Sequence, residues 1–211
     1  MARIEYVNKE GKSIPGVTTI IDHNLGWSKN ALMAWGWKMG KAGLNLNDVS
    51  KKATDIGSCA HLMISAHLKD QDVHEAVKDW PKETQEKAET CFLMYLEWEE
   101  QHKVMPMLVE QSLVSEIYQY GGTPDLVAWV DDKVSVVDFK SSNDIYPEYR
   151  IQVAAYEQLC KENTFKVNAK HLLRIGKDKP EFEHVYMLDL SLEFEAFKLL
   201  RKLHELKEKI K

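Results

Sequence analysis

One stretch limits the folds open to this chain more than any other. Gly121-Gly122-Thr123-Pro124-Asp125 leads into a hydrophobic run, Leu126 to Val130. A tight Asp131-Asp132-Lys133 turn follows, then a second hydrophobic run to Lys140. Two such runs around a short polar turn read as a β-hairpin. Side chains alternate faces along a strand, so Asp138 and Lys140 point the same way. If the turn pairs the strands in register, Asp125 lies opposite them. Two carboxylates and a lysine then meet at one end of an apolar hairpin, and unpaired buried charge there is costly.

The remainder of the chain supplies helices and further strands. Residues 3–7 alternate like a short strand, with a turn at Asn8–Lys12, and Val17–Ile21 opens a first helix. Ser28 is read as the N-cap of a helix over Lys29–Met39. Trp27, Trp35 and Trp37 cluster there beside lysines. They could stack on single-stranded bases or pack the helix onto the core; packing is the expectation. A helix is predicted from about Val49 to Leu68, with Gly57 and His61 one turn apart on a shared face. A glycine inside a helix suggests close approach of another group. Asp72–Trp80 and Pro81 to about Lys103 read as acidic helix, and Met107–Tyr120 as a strand. Ser141–Asp144 is a loop, Tyr146 to about Glu162 a helix, Val167–Ile175 and Phe182–Leu188 strands, and Leu192–Lys209 a final helix capped by Ser191. With no repeat, low-complexity tract or linker, residues 1–211 are expected to form one domain, with 1–48 as an N-terminal extension packed on it.

Several classes are set aside at this stage. No apolar run approaches bilayer length, and the N-terminus lacks the apolar core of a signal peptide, so a cytoplasmic protein without membrane partners is expected. Cys59, Cys91 and Cys160 are widely spaced, which argues against disulfides, zinc and iron–sulfur clusters. The net charge of −5 does not advertise a nucleic-acid binder. Its distribution is less even. Residues 1–52 hold eight Lys/Arg against four Asp/Glu, and residues 140–179 eight against five, flanking an acidic middle. An acidic protein can still carry a local positive groove.

Strand-borne Asp125, Asp138 and Lys140 suit metal-assisted phosphodiester hydrolysis. Carboxylates bind hard divalent cations. Such an ion generates hydroxide near neutral pH, while a lysine orients water or neutralises an oxyanion. Taken alone, the pattern equally fits a salt bridge at the end of a hairpin, and His61 alone reads as a core histidine.

The ordered set is more specific. Gly-Thr-Pro-Asp125, then Val-Asp138-Phe139-Lys140, then Gln152-x-x-x-Tyr156, with the upstream Gly57-Ser-Cys-Ala-His61, resembles the PD-(D/E)XK nuclease superfamily and its RecB-like branch of exonucleases. The resemblance covers roughly residues 50–188. It implies a restriction-endonuclease-like α/β core, a mixed central sheet flanked by helices on both faces. It implies catalysis by Asp125, Asp138 and Lys140. The cation, Mg²⁺ or Mn²⁺, would be held by His61, Asp125, Asp138 and the backbone carbonyl of Phe139. Gln152 and Tyr156 would contact substrate, and Glu110 would hydrogen-bond to active-site groups. The expected activity is a DNA exonuclease of phage or recombination and repair type, acting on single- or double-stranded DNA. A homo-oligomer or a recombination protein as partner stays open. The alternatives are a structure-specific endonuclease on the same fold and a DNA-binding module with a decayed site. The cluster cysteines of some RecB-like members are missing, so no iron–sulfur cluster is expected.

Overall fold

A computed structural model describes residues 4–27, 29–176 and 181–210. The chain opens with a small hairpin, β1 (Tyr6–Val7) and β2 (Ser13–Ile14), followed by helices α1 (Val17–Asn24), α2 (Lys29–Lys41) and α3 (Leu46–Leu68). A short α4 (Val73–Ala76) and a long α5 (Lys82–Glu100) follow. Then come β3 (Val104–Val109), β4 (Leu113–Ser115), β5 (Tyr120–Gly122), β6 (Leu126–Val130) and β7 (Lys133–Lys140). The chain continues with α6 (Pro147–Glu162), β8 (Ala169–Ile175), β9 (Phe182–Met187) and α7 (Ser191–Ile210).

The central hairpin forms as expected, and its turn shows why. Asp131 and Asp132 both take positive φ, 48° and 66°, which a two-residue turn of the type that matches strand twist requires. Aspartate tolerates this conformation better than bulkier residues do. The turn fixes Val130 against Lys133 and, at the other end, Leu126 against Val137. Asp125 therefore lies beside the end of β7.

Five strands run in the order β3-β6-β7-β8-β9. The β7–β8 pair is parallel, bridged by α6, and the others are antiparallel. β3 lies at one edge, where Pro106, which has no N–H to donate, is tolerated beside a shift in register. Alternation along β7 sends Val134 and Val136 to a core shared with α1, α6 and α7. It sends Val137 and Phe139 to a second core shared with α3 and α5. The sheet is mixed and has helices on both faces, the arrangement expected from the sequence.

Four details differ from the sequence reading. The strand expected over Met107–Tyr120 is broken. Glu110 and Gln119 take positive φ, 50° and 54°, and β4 and β5 leave the main sheet to form a separate ribbon. The helix expected over Asp72–Trp80 is one turn, capped by the Asp72 side chain on the amides of His74 and Glu75. The 46–68 helix starts earlier than expected because Asn45 caps it, accepting from the Asn47 amide at 2.9 Å. Finally, the tryptophans do not pack on a core: Trp27 and Trp37 are 62% and 67% exposed. α2 lies against the start of α3, where a side chain on Gly36 would come within 3.6 Å of Leu46, and its large residues face outward. The Ser28 cap falls outside the described residues.

The glycine pair that opens the central stretch is a crossing point. Gly121 bridges Gly16, and its amide donates to the Pro15 carbonyl at 3.0 Å. A side chain on Gly121 would collide with the ring of Tyr6, and one on Gly122 would come within 2.8 Å of Tyr156 and Leu159 on α6. Gly121→Ala is expected to destabilise the protein by about 1–3 kcal/mol, the usual cost of overpacking. Urea unfolding should show a lower midpoint with unchanged slope.

Candidate active site

Three elements deliver the candidate residues. The end of β7 carries Asp138 and Lys140 on one face; the residue before β6 is Asp125; α3 brings His61. Asp125 Oδ2 accepts the Phe139 amide at 2.8 Å. This bond ties the open end of the hairpin and holds the carboxylate beside β7. Asp125 Oδ1 lies 3.4 Å from His61 Nδ1. The His61 side chain is about one quarter exposed and stands edge-on to Phe139, with ring centroids 5.9 Å apart. It therefore faces the cleft, not the apolar interior.

Asp138 is fully buried. Its Oδ2 is ion-paired with Lys140 Nζ at 2.7 Å, while its Oδ1 has no hydrogen-bond partner among the described residues. A buried carboxylate left so poorly served is costly. Burial, opposed by Lys140 and reinforced by Asp125, pushes its pKa up to about 6. The neighbours move the other way. Burial disfavours charge on Lys140, but Asp138 and Asp125 outweigh it and hold the ammonium more firmly protonated than usual. His61 is raised likewise, burial being outweighed by Asp125. Asp125 is lowered, burial being outweighed by His61 and Lys140.

His61 and Lys140, but not the two aspartates behind them, line a cleft of about 420 Å³ together with Gly57, Glu110, Ser141 and Tyr149, among others. Gly57 has the role its position suggested: any side chain there would strike Ser141 Oγ on the loop after β7. Glu110 also reaches the cleft. Its amide donates to the Asp125 carbonyl at 3.0 Å, and its carboxylate accepts from Ser65 Oγ of α3 at 3.1 Å. Gln152 donates to Tyr156 Oη at 2.8 Å, one turn along α6. The buried Tyr156 hydroxyl has its pKa raised well above normal, first by burial and then by the Asp138 and Asp125 charges, so it stays neutral beside the carboxylates.

Sequence reasoning missed Tyr149 and Ser141. The Lys140 ammonium lies 5.1 Å from the centre of the Tyr149 ring, within range of a cation–π attraction. The available clue was spacing, since Tyr149 precedes Gln152 by three residues and shares its side of α6.

Among the described residues, no three His, Cys, Asp or Glu side chains form a ready-made metal cage. His61 is turned onto Asp125, and Asp138 onto Lys140. The buried Oδ1 of Asp138, without a hydrogen-bond partner among the described residues, is nevertheless what a cation ligand would present, and Asp125 lies across the hairpin from it. The donor set is hard oxygen plus imidazole, which fits a divalent cation.

The sequence matches the profile of the PD-(D/E)XK nuclease superfamily over residues 37–211. No curated protein matches it. Among solved structures, it is similar to an exonuclease candidate from Eubacterium rectale, with a TM-score of 0.48 and 15% identity over 70% of this chain and 64% of that one. It thus spans less than two thirds of that protein. It is also similar to an alkaline exonuclease from Laribacter hongkongensis, with a TM-score of 0.36 and 15% identity over 75% of this chain and 90% of that one. The family assignment rests on the sequence match, not on these likenesses of shape.

Proposed function

This chain belongs to the PD-(D/E)XK nuclease superfamily, and we propose that it is a divalent-cation-dependent deoxyribonuclease of the RecB-like branch, acting as an exonuclease. The observation that carries the reading is Asp138: a buried carboxylate paired through Oδ2 with Lys140, its Oδ1 left without a hydrogen bond, across from Asp125. Nothing in the packing of the hairpin explains such a group, whereas cation-assisted phosphodiester chemistry does. Exonuclease action rests on the ordered motif set from Gly57 to Tyr156.

Asp138, Asp125, His61 and the Phe139 carbonyl would hold Mg²⁺ or Mn²⁺, which when bound supplies Lewis acidity at the phosphate and a water of lowered pKa. Asp125 keeps the backbone at Phe139 fixed through the amide it accepts. Lys140, held cationic, donates to the attacking water or to the phosphate oxygen on which charge develops. Gln152 and Tyr156 position the substrate from α6. Glu110 and Ser65 brace the far wall of the cleft. The proposal includes one nuclease domain over residues 1–211, a cytoplasmic setting and a role in DNA recombination or repair. Among the described residues, no helix is long and apolar enough to cross a membrane.

The test is a digestion panel with Mg²⁺ and with Mn²⁺ on linear and covalently closed circular DNA, single- and double-stranded, each end labelled separately. Linear DNA should be shortened from an end, closed circles should survive, and EDTA should abolish all cutting. Cleavage of closed circles would instead establish an endonuclease. A protein inert with both cations on every form would leave only a binding module.

A further inference from the structure

The last helix, α7, has two apolar faces. The inner one is satisfied: Phe197 is buried against Tyr120, with ring centroids 4.7 Å apart, and Phe194 and Leu200 pack beside it. On the same side, Arg201 donates to the Gln119 carbonyl at 3.0 Å. The outer face is a second stripe, Leu192, Ala196, Leu199, Leu203, Leu206 and Ile210. Leu192, Leu199 and Ile210 are 81%, 72% and 83% exposed. The spacing is 4-3-4-3-4 throughout, the a/d seam of a coiled coil. It runs the length of a 20-residue helix, about 30 Å. Ala196, at its edge, also packs against the core, whereas Leu192, Leu199, Leu203, Leu206 and Ile210 belong to neither core cluster of the described residues.

The geometry points to a second copy of this chain as the occupant, with the two α7 helices packed antiparallel about a two-fold axis at Arg201. Reflected about that residue, the stripe falls on itself. Leu192 meets the partner's Ile210, Ala196 meets the partner's Leu206, and Leu199 meets the partner's Leu203. Every layer pairs a d residue with an a residue, as an antiparallel seam requires, and an isologous contact must be self-complementary in this way.

Charge selects the same orientation. The seam is flanked by Glu193 and Glu195 at its start, and by Lys207 and Lys209 at its end. Antiparallel packing brings each acidic pair against the partner's basic pair. Parallel packing sets Lys202 against the partner's Lys207 and gathers like charges at both ends, which is unfavourable. Within one copy these residues make exposed contacts, Glu193 with Arg150 at 2.9 Å and Lys207 with the His23 carbonyl at 2.6 Å. Such surface contacts are worth little and exchange readily. Lys202 meets its own copy at the axis, and each is held by Glu205 of its own helix at 3.2 Å.

The test is the mass of the full chain in solution by light scattering at micromolar concentration. The wild type should weigh twice 24.4 kDa. Leu199→Glu/Leu203→Glu should weigh half as much, with an unchanged far-ultraviolet circular dichroism spectrum. Orientation is read separately by oxidative cross-linking of single-cysteine additions, against a background of three buried native cysteines. Leu192→Cys mixed with Ile210→Cys should cross-link, while neither should cross-link alone. A wild type of single-chain mass, a dimer that survives the double glutamate variant, or self-linking by either cysteine variant would overturn the proposal. A monomer that binds vesicles of anionic phospholipid would also overturn it, assigning the stripe to a lipid surface.

Discussion

Lys140→Ala is expected to lose about three orders of magnitude in DNA cleavage while folding normally. A positioned proton donor contributes about 10²- to 10⁴-fold, and one electrostatic donor to a developing oxyanion about 10²- to 10³-fold. Lys140 is placed for either. Its side chain is only 16% exposed and lies against Asp138 and the Tyr149 ring, so water cannot readily take its place. Lys140→Arg should not rescue the rate, because a planar guanidinium does not present the compact point charge of an ammonium. The measurement is single-turnover cleavage of an end-labelled linear duplex at saturating Mg²⁺. A Lys140→Ala rate within tenfold of the wild type would remove Lys140 from the chemistry.

Asp138→Asn is expected to separate activity from stability. Cleavage should fall by at least about 10³-fold, since this buried carboxylate is the group assigned to the cation. The cation-free protein should become more stable. The wild-type folded state holds the Asp138 proton up to pH about 6, against 3.8 for an ordinary aspartate. Between those values the folded state binds more protons than the unfolded chain, so stability falls as pH rises through that window and stays reduced above it. The raised pKa of His61 acts in the same direction, while the lowered pKa of Asp125 withdraws stability only as pH falls through the acidic range. Removing the Asp138 charge should recover about 2–3 kcal/mol above pH 6, or roughly 5 °C in the melting midpoint. Thermal melts in EDTA from pH 4 to 8 read this directly. If the variant melts lower than the wild type at pH 7, Asp138 is a structural group. Mg²⁺ should raise the melting point of the wild type and leave that of the variant unchanged, since a cation stabilises only the state that binds it.

Much of this arrangement was legible because its carriers are periodic. Alternation in β7 placed Asp138 and Lys140 on one face and Val137 and Phe139 on the other. Helical spacing placed His61 one turn from Gly57, and Gln152 one turn from Tyr156. What escaped notice lies where local pattern and tertiary placement part. Nothing near Glu110 or Gln119 advertises a positive φ, so three short strands read as one. The tryptophans of α2 carry the composition of a core helix, yet they lie on the outside of the molecule. Ser141 and Tyr149 enter the cleft because the loop after β7 folds back over α3, a long-range event with no local pattern. The outer stripe of α7 was visible as periodicity, but only the burial of Phe197 showed that the stripe is left over.

The two-residue turn at Asp131-Asp132 sits at the far end of β7 from the chemistry, about 25 Å away at the rise of an extended strand. It nevertheless sets which residues stand at the working end, because strand pairing is counted from it. Inserting or deleting one residue there would turn Asp138 and Lys140 toward α5 and bring Val137 and Phe139 to the cleft. The chain's tolerance to length change is therefore uneven. The turn admits sequence variation within the few residues that accept its backbone, but no variation in length.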